Sequence, residues 1–106
     1  VFKGTPMLLH YVSSKGAQVA FTRALAREVG DEGITVNCIA PGLTMSEKVI
    51  DDPQWKAVKD GNTATRAIKR EQVPEDLIGT LVFFASSDSD FITGQTLVVD
   101  GGSAMH

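Results

Sequence analysis

The chain has 106 residues, 42% of them hydrophobic and 22% charged, with a formal charge of −3 and a mean hydropathy of +0.01. That balance suits an α/β domain and gives no electrostatic reason to expect nucleic acid, and its longest apolar runs, such as Leu81 to Ala85, are far too short to span a bilayer. A single cysteine, Cys38, excludes an intrachain disulfide and fits a reducing cytoplasm.

Residues 1–10 read as a loop broken by Gly4 and Pro6. A helix follows from Tyr11 to Val29 and stops at the cluster Gly30, Asp31, Glu32, Gly33. Its apolar positions Val12, Val19, Ala20, Phe21, Ala24, Leu25 and Val29 make a face wider than one core contact needs, so a second packing partner is expected. Tyr11 and Lys15 stand four residues apart at its head, a spacing that puts a phenol and an ammonium side by side on one face. An adjacent cation favours the phenolate and lets the phenol trade a proton with a substrate oxygen near neutral pH. The same spacing also occurs as an ordinary helix-surface contact, and what distinguishes this pair is the sequence around it and after it.

Ile34 to Ala40 is rich in β-branched residues and bounded by Gly33 and Pro41, which marks a strand. Cys38 within it reads as an inert core thiol. Pro41 and Gly42 end the strand at a carboxyl edge, where open α/β sheets bind ligands. From Met45 to Gln72 no strong element is expected, only two short amphipathic pieces, one around Met45 and Val49 and one around Trp55 and Val58. A long insertion at that edge is a functional feature more often than a connector. Arg66, Lys69 and Arg70 read as a solvated flank of it rather than a phosphate clamp. Pro74, with Glu75 and Asp76 in the first turn, starts a helix whose buried face is Leu77, Ile78, Leu81, Val82 and Ala85. Thr96 to Val99 is the last strand, and Asp100, Gly101 and Gly102 turn the chain off the sheet. No group of side chains has metal-ligand spacing, so no metal site is expected; His10 and His106 stand without companions.

Three segments, Y-x-x-S-K-G-A from Tyr11, G-I-T-V-N-x-I-A-P-G ending at Gly42 and G-Q-T-L-x-V-D-G-G ending at Gly102, together resemble the C-terminal half of a short-chain dehydrogenase/reductase. The likeness covers essentially the whole chain. It implies an α/β fold, the C-terminal part of a doubly wound parallel-sheet Rossmann-like domain of three α/β/α layers, with residues 1–106 as one portion and residues 43–72 as a substrate lid within it. It also implies an NAD- or NADP-dependent oxidoreductase interconverting an alcohol, of the secondary class, and a carbonyl. Tyr11 would be the general acid/base, with Lys15 supporting it and binding the nicotinamide ribose. Pro41, Gly42, Leu43, Thr44 and Ser46 would meet the nicotinamide end, with Thr44 departing from the family's usual Ile or Val and Ser46 keeping the hydroxyl of its usual Thr. Met45 and Trp55 fall in or beside that lid and are candidate contacts of the substrate, a small-molecule alcohol or carbonyl, with Trp55 either facing it or anchoring the lid; His10, beside Tyr11, either touches the substrate or is merely solvated. A homodimer or homotetramer is implied through the long helix, with no nucleic-acid or membrane partner. His106, at the chain end, reads as solvated rather than as a reach toward a neighbouring subunit's site.

The family's glycine-rich phosphate loop, G-x-x-x-G-x-G, does not occur in these residues, and its catalytic serine has no counterpart among Val1 to His10, where Thr5 is out of place. The chain is therefore expected to be a fragment of a longer protein. The alternative is a catalytically silent relative whose role is assembly through the helix.

Overall fold

The computed structural model describes residues 9–45 and 56–104. In chain order they form α1 (Leu9–Val29), β1 (Cys38–Pro41), α2 (Lys56–Thr65), α3 (Ile78–Ala85) and β2 (Thr96–Val99), with 3-10 turns at Gly30–Glu32, Pro74–Leu77 and Ser87–Ser89. The two strands pair in parallel, Cys38 opposite Thr96 through Pro41 opposite Val99. Everything between them is one long crossover, as parallel pairing requires.

Helix α1 begins two residues ahead of the sequence expectation, so His10 lies in its first turn rather than in a loop, and is exposed. It ends where expected. Gly33 adopts φ 74°, a left-handed conformation open to glycine without steric cost, and its N–H donates to the Gly30 carbonyl at 3.0 Å. The buried stripe of α1 is narrow, Thr22 and Ala26, with the Thr22 hydroxyl satisfied on the Gln18 carbonyl at 2.7 Å. Ala26 faces Gly94, where an added Cβ would stand 3.5 Å from its own, so two small residues set how closely the helix approaches the turn before β2.

The expected strand Ile34–Ala40 is shorter and shifted. Residues 36 and 37 bond to the turn before β2 in a pattern that no ladder supplies: Val36 N–H donates to Thr93 Oγ1 at 3.0 Å, Asn37 Nδ2 to the Ile92 carbonyl at 3.0 Å, and Gln95 N–H to Asn37 Oδ1 at 3.1 Å. Beside one main-chain bond, Gly94 N–H to the Val36 carbonyl at 2.7 Å, side chains make these joins, and regular pairing starts only at Cys38. At the other end it outlasts Pro41, which has no N–H to give, because Gly42 N–H donates to the Val99 carbonyl at 3.0 Å.

Two further expectations change. The segment expected to lack a strong element contains α2, ten residues including Gly61, Asn62 and two threonines, whose low helix propensities conceal it. The helix placed at Pro74 opens as a 3-10 turn and becomes α-helical only at Ile78. Its supposed buried face is largely open: Ile78, Leu81 and Val82 are 53%, 60% and 60% exposed, and Ala85 is exposed too. Leu77 alone of that set is half-buried. Two four-residue strands are too small a surface to cover such a helix, and Phe21 on α1 is likewise exposed.

The buried apolar residues among those described are Ala26 and Met45. Residues 1–106 produced alone are therefore expected to bind a hydrophobic dye and to unfold without a cooperative transition. Calorimetry of that piece checks this; a sharp heat-absorption peak with no dye binding would refute it.

Candidate functional site

A cavity of about 320 Å³ lies between α1 and one face of β1. Tyr11, Lys15 and Gln18 reach it from α1, at the helical spacing that stacks side chains on one face. The opposite wall is β1 from Cys38 to Gly42, and Val98, Asp100, Ser103 and Ala104 close it from β2 and the turn beyond. Asn62 enters from α2. The Lys15 ammonium sits 5.4 Å from the centroid of the Tyr11 ring, a cation over an aromatic face. Ser14 Oγ donates to the Tyr11 carbonyl at 2.9 Å, a local bond of the first helical turns. The phenol ring is half exposed, so it is accessible from the cavity mouth.

The loop after β1 is held by main-chain contacts. Gly42 lies so close to the turn after β2 that an added Cβ would stand 2.8 Å from the Asp100 Cβ and 3.0 Å from Gln72 Oε1; only glycine fits. The Val99 carbonyl takes a second donor there, Gln72 Nε2 at 2.7 Å. Thr44 bridges to Gln72 in a parallel sense, its hydroxyl donates to the Gly42 carbonyl at 3.0 Å, and Met45 N–H donates to the Gln72 carbonyl at 2.6 Å.

The sequence-derived site residues thus divide. Tyr11, Lys15, Pro41 and Gly42 line one cavity. Leu43 and Thr44 continue the same loop without lining it, and Met45 is packed away at 3% exposure. His10 is on the exposed side of the first helical turn and does not line the cavity. Ser46, Trp55 and His106 lie outside the described residues.

Several lining residues escaped the sequence reading. Gln18 could have been found, since it follows Tyr11 and Lys15 at the same helical period. Asn62 could not, because α2 itself was hidden. Cys38, expected as a core thiol, is half-buried and lines the cavity. Asp100 lines it as well, but its carboxylate accepts from three amides of the turn: Gly102 at 3.0 Å, Ser103 at 3.2 Å and Ala104 at 2.8 Å. Its role is to shape that turn. Thr65 Oγ1 and Ser103 Oγ, 2.6 Å apart, fasten the end of α2 to it.

The basic run needs one correction. Lys69 and Arg70 are solvated as expected, but Arg66 is 3% exposed, its guanidinium drawn inward to main-chain carbonyls. Arg70 instead pairs with Asp76, Nη2 to Oδ1 at 2.6 Å and Nη1 to Oδ2 at 2.8 Å. Hydrogen bonds from Arg70 and from the Val73 N–H hold the Asp76 carboxyl well below the usual carboxylate range. Among the described residues no three His, Cys, Asp or Glu form a metal-binding group, and no helix is long and apolar enough to cross a membrane.

The family described as enoyl-(acyl carrier protein) reductase matches residues 2–104. The short-chain dehydrogenase/reductase eriH of Hericium erinaceus is 41% identical over 101 residues, which cover 95% of this chain and 40% of that protein. A short-chain dehydrogenase/reductase from Brucella melitensis, described as a glucose/ribitol dehydrogenase, superposes with a TM-score of 0.87 at 30% identity, over 99% of this chain and 42% of its own. A short-chain dehydrogenase from Leptospira borgpetersenii, solved with bound NAD+, superposes with a TM-score of 0.79 at 33% identity, over 90% of this chain and 35% of its own. The chain spans about two fifths of the length of the curated relatives it matches.

Because folding lowers the proton affinity of Asp76, its contribution is present above the ordinary carboxylate range and is lost as the pH falls through the folded value. In the whole enzyme Asp76→Asn is therefore expected to lower the thermal midpoint slightly at pH 7, less so in high salt, with the gap to the parent enzyme narrowing once the pH drops below about 4. Melting curves across that pH range check it; a gap that widens in acid would contradict the assignment.

Proposed function

Because the chain belongs to the short-chain dehydrogenase/reductase family, we propose that it forms part of an NAD(P)-dependent oxidoreductase interconverting a secondary alcohol and a carbonyl. The observation that carries this reading is the meeting of Tyr11 and Lys15 with the carboxyl end of β1 around one cavity.

The residues present fit a nicotinamide. Pro41, Ala40 and Val98 offer an apolar wall for a flat ring, and Lys15 and Tyr11 offer hydrogen-bond donors where a ribose hydroxyl and a substrate oxygen would lie. When bound, the dinucleotide supplies the hydride acceptor in oxidation and the hydride donor in reduction. In oxidation Tyr11 Oη would take the alcohol proton, and in reduction it would return that proton to the carbonyl oxygen. Lys15, held over the ring at 5.4 Å, opposes the negative charge that forms on the phenol and binds the ribose. Pro41, Gly42, Leu43, Thr44 and Ser46 hold the nicotinamide end. Residues 43–72 close over the substrate, excluding water, with Trp55 contributing contacts; Met45, packed away, and His10, turned off the cavity, are not assigned substrate contacts. Assembly as a homodimer or homotetramer would cover the open face of α1 at Phe21, and the cytoplasm is the proposed location.

In the whole enzyme, Tyr11→Phe is expected to keep dinucleotide affinity and lose roughly a hundredfold to ten-thousandfold in turnover, since only the proton-transfer group is removed. Titration calorimetry with assays of both directions reads the two effects separately, and activity near that of the parent would take Tyr11 out of the mechanism. Trp55→Ala is expected to shift substrate KM or preference more than dinucleotide affinity. Loss of dinucleotide binding with unchanged substrate kinetics would count against the lid.

A further inference from the structure

Arg66 is a buried charged residue that the proposed mechanism leaves unused. It is 3% exposed, its Nε finds no partner among the described residues, and the described ion pair nearby, Arg70 with Asp76, does not include it. Among the described residues no carboxylate pairs directly with this guanidinium, although Asp76 is near enough to feel its charge, and a buried guanidinium so placed carries a desolvation cost that an apolar side chain of similar volume would avoid. What its position gains is a link between two segments. Nη2 donates to the Leu43 carbonyl at 2.8 Å and Nη1 to the Arg70 carbonyl at 2.9 Å, so one rigid planar fork joins the loop after β1 to the far end of the insertion.

The turn after β2 makes room for that fork. Gly101 has φ +67°, and a Cβ there would stand 3.2 Å from Arg66 Cδ and 3.5 Å from the Ile68 carbonyl. Ile68 N–H donates to the Gly101 carbonyl at 2.9 Å, which fixes the backbone on either side of the arginine stem. On the loop side, Gly42 is tied to β2 through the Val99 carbonyl and Met45 to the Gln72 carbonyl. Leu43 and Thr44 lie between those ties. The peptide joining them is planar, so holding the Leu43 carbonyl also sets the direction of the Thr44 N–H.

We infer that Arg66 is a positioning residue for the dinucleotide: it orients the Leu43–Thr44 peptide of the nicotinamide-side loop from behind without touching the cofactor. This rests on the reading that residues 41–44 hold the nicotinamide end. The role requires the planar fork, so a lysine, which offers one compact charge, is an incomplete substitute.

The test uses the whole enzyme. Arg66→Met is expected to raise the KM for the dinucleotide about tenfold while kcat stays within about threefold, with Arg66→Lys between the two proteins. Gly101→Ala, which crowds the arginine stem, is expected to give the same split with Arg66 in place, and it carries the test together with Arg66→Lys if the methionine variant does not fold. Hydrogen exchange of the parent enzyme at residues 42–45, with and without NAD(H) or NADP(H), tests the underlying reading separately. Protection of those amides by dinucleotide, combined with an unchanged dinucleotide KM in folded Arg66 variants, would overturn the positioning role and leave the loop reading intact. Absence of protection would sink the loop reading, and the inference with it. A loss shared equally by kcat and KM for both substrates would reduce Arg66 to a structural residue and also overturn the proposal.

Discussion

The carbonyl of Val99 is the point through which the rest of this structure is connected. It accepts from Gly42 N–H at 3.0 Å and from Gln72 Nε2 at 2.7 Å, so one acceptor joins the end of β1, the end of β2 and the return of the insertion. The approach depends on the absence of a side chain at 42, because Asp100 and Gln72 already occupy the space a Cβ would take. Any larger residue would separate the strands at the edge where the cavity opens. Tyr11 and Lys15 gain their facing wall only because that edge is closed.

Directed hydrogen bonds dominate this assembly more than apolar packing. Buried polar residues, Thr22, Arg66, Gln72, Ser89 and Asp100, outnumber the buried hydrophobic ones among the described residues. Their bonds, and those of half-buried Asn37, fix the turns and junctions. Asp100 collects three amides, Ser89 bonds the Phe84 and Ser86 carbonyls at 3.1 Å, and Asn37 links the start of β1 to the turn before β2 from both ends of its amide. Such bonds set orientation well but each adds little net stability. The apolar contribution must come from the faces still open on α1 and α3, which agrees with a chain that spans about two fifths of its relatives.

What the sequence disclosed follows from how local the determining interactions are. The Tyr11 and Lys15 pair was legible because helical spacing is a local rule, and β2 because Thr96 to Val99 is bounded by a glycine on each side within a few residues. The family's short-chain dehydrogenase/reductase pattern was legible for the same reason, each motif being contiguous. The upstream limit of β1 was not, since it is set by Thr93, Ile92 and Gln95, more than fifty positions away. Helix α2 was obscured by weak formers, and Arg66 by neighbours of like charge, which made a buried fork read as part of a solvated run. The open face of α3 was misread because apolar periodicity reports that a face needs a partner, without saying whether the partner lies in the same segment.

The long crossover between the strands also bears on how the site comes into being. Asn37 and Gln95, which bond just ahead of the ladder, are 58 positions apart, whereas the bonds of α1 close within single turns. Bringing such distant residues together costs chain entropy before any contact rewards it, so the helix can form on its own while strand pairing waits for the whole insertion to be in place. Tyr11 and Lys15 are then side by side early, on a helix that still faces nothing. The cavity belongs to the last stage of folding, and chemistry that depends on it would appear only after the helical signal is complete.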